Sequence, residues 1–341
     1  MSDQTIKLIE LLKEGKTCNE ICSVLNLSNK QLYSNLTNLK NKGFLFSRKY
    51  FTNGDIFYKS INSIKDIKDQ NSYNQKSTIT TYADENNIKF LVISDLHFGN
   101  ELERIDLIEK AYNYCINNNI HIILCGGDLV DGLFSKVKQT ITDPFLQVEH
   151  FIKNYPFDKS ILTFAVAGDH DHSVLYGGFQ DIVEISNNYR HDIVIGAYNN
   201  AIISIKNDSI LLHHYFPAGN VFLGDFPIIL HGHIHKYGIT IREDNGLDIT
   251  IPSLSDMHNS VPSALEMELE FSKGYIKFAN IKQLYFSDNV IVLNESKFDL
   301  LKNRNVIYSP INNIVPKKIN DNESSISKKL EKIKSRYDYQ D

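Results

Sequence analysis

One event recurs five times along this chain: a short apolar run ends, and side chains able to hold a metal ion follow at once. The run that begins at Lys89 leads into Ser94-Asp95-Leu96-His97. The run from His121 leads into Gly126-Gly127-Asp128-Leu129-Val130-Asp131, and the run from Ser160 into Gly168-Asp169-His170-Asp171. Residues 209–212 lead into His213-His214, and residues 228–230 into His231-Gly232-His233-Ile234-His235. Apolar runs this short read as buried strands. Helical periodicity between the first three, over 103–118 and 144–154, makes the pattern β-α-β-α-β, the signature of a layered α/β domain whose functional groups sit on loops just past strand ends. After residue 190 helical patterns fade. Strand patterns cover 193–195, 201–205, 209–213, 227–231, 237–242, 247–251, 265–271 and 274–280, so two packed sheets are the economical arrangement.

The spacing carries chemistry. In Asp95-x-His97 and His233-x-His235, residues two apart on extended backbone leave the same face, so one ion can take both. Glycines 126, 127, 168 and 232 allow tight turns and close backbone approach after each strand. Carboxylates with imidazoles suit Mn²⁺, Fe²⁺ or Zn²⁺. Three carboxylates and four imidazoles exceed one tetrahedral site but fill two if a carboxylate bridges. Two ions about 3.5–4 Å apart would generate a hydroxide and clamp a phosphoryl group.

The first sixty residues read as a separate unit. Ile6, Leu8, Ile9, Leu11 and Leu12 predict a helix ending at Gly15; Thr17 and Ser28 can cap two more; strands follow on either side of Asn53-Gly54. Three helices and a hairpin resemble a winged helix-turn-helix. The expected organisation is 1–59 for this unit, 60–86 a polar linker, 87–290 the α/β domain and 291–341 a C-terminal extension with a polar tail. The net charge of −5 argues against wholesale coating of a polyanion. Nucleic-acid contact would need a local patch, and no Asp or Glu occurs from Ile21 to Gly54. Lys30, Gln31, Ser34 and Asn35 on the third helix could then meet a DNA groove, with Arg48 and Lys49 of the hairpin on phosphates. A protein-interaction or dimerisation module is the alternative. No run of eighteen apolar residues occurs, so no membrane span is expected. The start lacks a secretory pattern, and Cys18, Cys22, Cys115 and Cys125 lie in apolar patterns. A cytoplasmic protein without disulfides is expected. The oligomeric state is left open, a homodimer included.

The ordered set Asp-x-His, Gly-Asp-x-x-Asp, Gly-Asp-His-Asp, His and Gly-His-x-His resembles the calcineurin-like metallophosphoesterase superfamily over about residues 88–255. The resemblance implies a four-layer α/β/β/α sandwich with two divalent ions at its loop edge, Mn²⁺ foremost and Fe²⁺, Zn²⁺ or Mg²⁺ as alternatives. It implies that Asp95, His97, Asp128 and His235 hold the first ion, that Asp128 bridges, and that Asp169, His213 and His233 complete the second. His214 is the fallback for His213. It gives His170 the role of donating a proton to the leaving oxygen or stabilising charge, with Asp131, or else Asp171, orienting the imidazole. The superfamily usually has Asn where this chain has Asp169. Two divalent ions with three carboxylates leave one net positive charge where Asn would leave two, so Asp169 should tighten metal binding and make the site less attractive to an anion. His121, His150, His172, His191, His231 and His258 are expected to be structural or surface residues, His172 and His258 lying nearest the motifs.

Fold membership does not select a substrate. Gly132-Leu133 stands where protein phosphatases carry Arg-Gly, and His170 where the lipid-A pathway pyrophosphatases carry Arg. Ser94-Asp-Leu-His-Phe-Gly99 with Gly127-Asp-Leu-x-Asp131 is more similar to SbcD-type repair nucleases and the small subunit of archaeal replicative polymerase. The leading expectation is a metal-dependent DNA nuclease or exonuclease of repair type. A small-molecule or cyclic-nucleotide phosphodiesterase recruited by its N-terminal unit comes second, and a DNA-binding regulator with an inactive phosphoesterase domain third.

Overall fold

The computed structural model describes residues 3–61, 76–82, 84–133, 135–176, 181–214, 226–243, 246–257 and 260–300, and the backbone of 306–308. The chain opens with α1 (Asp3–Glu14), β1 (Lys16–Thr17), α2 (Cys18–Leu25) and α3 (Asn29–Asn41), then the hairpin β2 (Phe46–Phe51) and β3 (Ile56–Ser60). Thr17 and Ser28 start α2 and α3 with reciprocal capping boxes, closed by Glu20 and Gln31. Leu8, Leu11, Leu12, Ile21, Leu25, Leu32, Leu36 and Leu39 are buried in one cluster with Tyr50, Ile56 and Tyr58 of the hairpin.

That hairpin is part of a larger sheet. β4 (Lys76–Thr80), within the segment expected to be a linker, pairs with β2 on one side and with β9 (Asn200–Ile205) on the other. Adding β10 (Asp208–His213), β11 (Ile228–His231), β12 (Gly238–Ile241) and β13 (Leu247–Thr250) gives a nine-stranded sheet, order β1-β3-β2-β4-β9-β10-β11-β13-β12. The helical unit and the α/β domain therefore share backbone pairing and one apolar core.

The facing sheet has eight strands. β5 (Asn87–Ile93), β6 (Ile122–Cys125), β7 (Leu162–Ala167) and β8 (Ile193–Tyr198) run parallel. They are extended by β14 (Ala264–Ser272), β15 (Tyr275–Phe286), β16 (Val290–Asp299) and β17 (Val306–Tyr308). β16 thus carries the sheet past residue 290; residues 301–305 and the tail from 309 lie outside the described residues. α4 (Ile105–Asn117) and α5 (Pro144–Asn154) bury Leu107, Ile108, Cys115, Val148 and Phe151 with Leu91, Ile93 and Ile123. The opposite-facing residues Phe90, Val92, Leu124 and Phe164 pack with Ile203, Ile210, Leu212 and Leu230 between the sheets. The alternation along each strand sets these layers: helices, then two sheets face to face, a mixed α/β architecture. α6 (Asp169–Tyr176) and α7 (Ile182–Tyr189) follow β7. All four cysteines are free. Among the described residues no helix is long and apolar enough to cross a membrane.

Candidate metal centre

Parallel strands deliver their carboxyl-terminal loops to one edge, and here the loops are bonded side by side. Past β5 and β6, the amides of Leu96 and His97 donate to the Asp128 carbonyl at 2.8 and 3.0 Å, Phe98 donates to Leu129 and Asp131 to Phe98. The Gly232 amide donates to His213 O, and Leu254 to Ser94 O. Asp171 joins two loops: its carboxylate accepts from the amides of Leu129 (3.1 Å), Val130 (2.9 Å) and Gly168 (2.8 Å). Asp171 is therefore directed at backbone amides. The backbone is strained where the ligands sit. Asp95, His97, Asp128, His233 and His235 all have positive φ, between 49° and 70°, a conformation that costs a non-glycine residue of order 1–3 kcal/mol and clusters at functional sites. Close approach explains Gly168: a Cβ there would fall 2.2 Å from Asp128 Oδ1 and 2.6 Å from His214 Cδ2.

Among the described residues three groups of possible ligand atoms result. Asp95, His97 and His235 form one; Asp128, Asp169, His214 and His233 form another; His97, Asp131 and His170 form a third that shares His97 with the first. His235 Nε2 lies 3.1 Å from Asp95 Oδ1. His214 Nε2 lies 3.0 Å from Asp128 Oδ2 and 3.1 Å from Asp169 Oδ1, which is also 3.1 Å from His233 Nδ1. Asp128 Oδ2 is 3.9 Å from His97 Nε2, so Asp128 stands between the first two groups. Asp95, His97, Asp128, Asp169, His233 and His235 thus lie together, but His233 and His235 fall in different groups, because their backbone is left-handed where the spacing suggests an extended segment with both on one ion. His213 does not lie with them. Its Nδ1 lies 2.5 Å from Asn200 Oδ1 and its ring packs edge-on against His231, while His214 points into the cluster. Strand alternation explains this: Ile210 and Leu212 face the core between the sheets, so His213 faces away and His214 returns to the inner side.

The donor set fits divalent cations. His97 Nε2 is buried without a hydrogen-bond partner, an arrangement that costs free energy unless a ligand completes it. Burial alone would raise the Asp95 carboxyl, but the His235 imidazole beside it holds it below its ordinary value. Burial likewise opposes ionisation of Asp169, and hydrogen bonds with His214 and His233 overcome it. Burial disfavours a charged His214, yet Asp128 and Asp169 raise its pKa well above the ordinary range. The pocket favours positive charge between carboxylates, which a divalent ion would supply with the imidazoles in the neutral, ligating form.

His170 stands beside the first two groups, its ring 4.7 Å from that of His97 and perpendicular to it. It is partly exposed, its amide donates to Asp128 Oδ1 at 3.0 Å, and its Nδ1 lies 2.6 Å from the Asp131 carbonyl. Asp131 therefore orients His170 through its main chain. The Asp131 carboxylate lies 3.3 Å from His97 Nδ1 and accepts from Asn100 and Gln139. Burial would lower the His170 pKa, but Asp128 and Asp169 raise it. Asn100 and Gln139 were not singled out from the sequence; as isolated amides in loops they carry no motif.

The remaining histidines have structural settings. His150 meets Glu103 at 2.9 Å, His121 meets Ser160 O, His172 packs on Tyr198, and His231 meets Asp248 at 2.7 Å. His191 is stacked on Tyr33 and bonded to Tyr58 OH, locking α3 and the hairpin to the α/β domain. His258 lies outside the described residues. Of the residues expected at DNA, Lys30, Gln31, Ser34 and Lys49 are exposed and Asn35 is half-buried. Lys30 reaches over the Phe157 ring, and Arg48 turns inward between Phe46 and Tyr50.

Residues 88–237 match the model of the calcineurin-like phosphoesterase family. Among solved structures, the chain is similar to Yfce, a phosphoesterase from E. coli (15% identity, 61% of this chain and 98% of that one, TM-score 0.40). It is also similar to nuclease MPE from Pseudomonas putida (12% identity, 57% and 84% covered, TM-score 0.31). No curated protein matches the chain. The family match spans the strand ends that bring these candidate ligands together.

Proposed function

We propose that this protein is a phosphodiesterase that uses two divalent cations, Mn²⁺ first among them, and that its substrate is DNA. The observation that carries the hydrolytic reading is the position of Asp128, within reach of His97 on one side and His214 on the other. Asp95, His97 and His235 would hold one cation, Asp169, His214 and His233 the other, with Asp128 shared. Cations bound there supply Lewis acidity and an activated water for in-line attack. The chain's own residues do the rest. Asp131 O holds His170 Nδ1, so Nε2 would be the atom to hold or deliver a proton at a leaving oxygen. Asp171 fixes the loops that carry Asp128 and Asp169, so the ligands are placed before substrate arrives.

The DNA reading is supported by the acid-free stretch from Ile21 to Gly54 and the exposed face of α3 at Lys30, Gln31 and Ser34. Resemblance to a winged helix-turn-helix, and of the motifs to repair nucleases, points the same way. Because β2 pairs with β4, the unit would act as a fixed surface beside the centre, in place of a flexible tether. A second reading, a small phosphodiester as substrate, is favoured by the inward turn of Arg48, which removes one cation from that surface.

Purified protein with Mn²⁺ is offered single-stranded DNA, duplex DNA and bis-nitrophenyl phosphate, with Asp128→Asn as control. DNA cleavage that the control lacks supports the first reading, and Ser34→Glu should slow it while sparing the small ester. Cleavage of the small ester alone supports the second. No hydrolysis of any of the three overturns both.

A further inference from the structure

The nine-stranded sheet parts at one place. β2 and β4 run parallel but pair only at Tyr50–Ile79 and Phe51–Thr80. β2 stays paired with β3 from Phe46, and β4 with β9 from Lys76, so the facing edges separate toward Phe46 and Lys76. A cleft of about 730 Å³ opens there, closed on its other sides by α3, α7 and the start of β8. In strand order β4 and β9 lie between it and β10, which leads to His214. The metal ligands take no part in it.

Its chemistry is one-sided. Among the described residues, Lys40, Arg48, Lys49 and Lys76 line it against a single carboxylate, Glu184. Arg48 Nη1 is buried with no hydrogen-bond partner. A buried guanidinium nitrogen left unbonded costs free energy that a bound acceptor would recover. Lys40 is held by Asn188 Oδ1 at 2.8 Å, and its ammonium is destabilised first by burial and then by Arg48. His191, bonded to Tyr58 and stacked on Tyr33, offers no countercharge. Phe44 and Phe46 add an apolar wall beside these cations. A half-buried guanidinium with exposed ammonium groups beside it, hydroxyl and amide groups around them and an aromatic wall suit a ligand with a phosphate head and a planar body, and the volume lies within the range of small-molecule sites.

We propose that this cleft binds a phosphate monoester of nucleotide size, with Arg48 and Lys40 on the phosphate, Lys76 at the rim and the body against Phe44 and Phe46. The same chemistry is offered by a free nucleotide and by the 5′-terminal nucleotide of a strand. The inference is independent of the substrate of the metal centre. It is tested on the full chain carrying Asp128→Asn, which disables the centre as a competing phosphate site. Calorimetric titrations use adenosine monophosphate, adenosine, and a tetranucleotide with and without a 5′-phosphate.

The expected result is one saturable site per chain for adenosine monophosphate or for the 5′-phosphorylated tetranucleotide, the tighter of the two naming the source. The unphosphorylated partner of each should bind at least tenfold more weakly. Adding Arg48→Met should weaken binding at least tenfold and Lys76→Gln about threefold. If Arg48→Met does not fold by its melting curve, Lys40→Gln takes its place with the same expected loss. No saturable binding of either phosphorylated probe overturns the proposal, as does binding that none of these substitutions changes.

Discussion

Replacing His214 by alanine should abolish one of the two cation sites, while replacing its neighbour His213 should not. His214 Nε2 lies 3.0 Å from Asp128 Oδ2 and 3.1 Å from Asp169 Oδ1, so it supplies one of four side chains around one position. Loss of even an outer-shell partner costs a metal site 10–100-fold; loss of a ligand should cost at least about 100-fold, or about 2.7 kcal/mol. The metal-free protein should suffer as well. The imidazole there separates two carboxylates, and stripping one partner from a buried charged cluster costs about 3–5 kcal/mol. His214→Ala should therefore melt well below the parent in chelator and recover part of the loss with excess Mn²⁺. His213 packs between Asn200 and His231. Its truncation should cost about 1–3 kcal/mol of stability through an unpaired buried group and leave metal affinity within about threefold. Competition for Mn²⁺ with a chromophoric chelator measures affinity, and urea unfolding measures stability. If His213→Ala loses a cation and His214→Ala keeps both, the parity argument that places His214 in the centre is wrong.

Three further outcomes follow from the same geometry. Asp169→Asn keeps an acceptor toward His214 and His233 but removes one negative charge, so Mn²⁺ affinity should fall; tighter binding in the same competition assay would refute the charge argument. Gly168→Ala should lower both metal affinity and melting temperature, by about 3 kcal/mol or more, because its Cβ would meet Asp128 Oδ1 at 2.2 Å. A variant with unchanged affinity would show that the loops are less constrained than the contacts indicate. Burial, then Arg48 and Lys40, hold the His191 pKa well below its ordinary 6.5, so the folded imidazole stays neutral while the unfolded one gains a proton. Its contribution is present above pH 6.5 and is lost progressively as pH falls below that value. Urea unfolding of wild type and His191→Gln at pH 7.5 and 5.5 should show the extra loss in the wild type alone.

The sequence was most legible where one physical signal dominated. Capping residues Thr17 and Ser28 marked α2 and α3, and uninterrupted apolar runs marked β5, β6 and β7. β4 was hidden because Lys-Ser-Thr-Ile-Thr is polar at four of its five positions and buries only Ile79 deeply. β16 was missed although Val290 to Leu293 form an apolar run of the same kind; these side chains are exposed in the structure, beyond the expected end of the core. The candidate site was legible because a dinuclear arrangement demands particular residue types at particular strand ends. Parity around residue 213 was harder, since two adjacent histidines differ only in which side of β10 they face. The pattern Ile210, Leu212, His214 carried that signal. Arg48 looked like a groove or phosphate contact on charge alone; its place between Phe46 and Tyr50 on one face of β2 turns it inward.

The most direct test of the central claim is the number of Mn²⁺ ions bound per chain at saturation, measured on wild type and on Asp128→Asn. The account predicts two for the wild type and, because Asp128 lies between the two proposed sets of ligand atoms, weakened binding at both positions in the variant. A wild type that binds a single ion, or a variant that binds two as tightly as before, would contradict it.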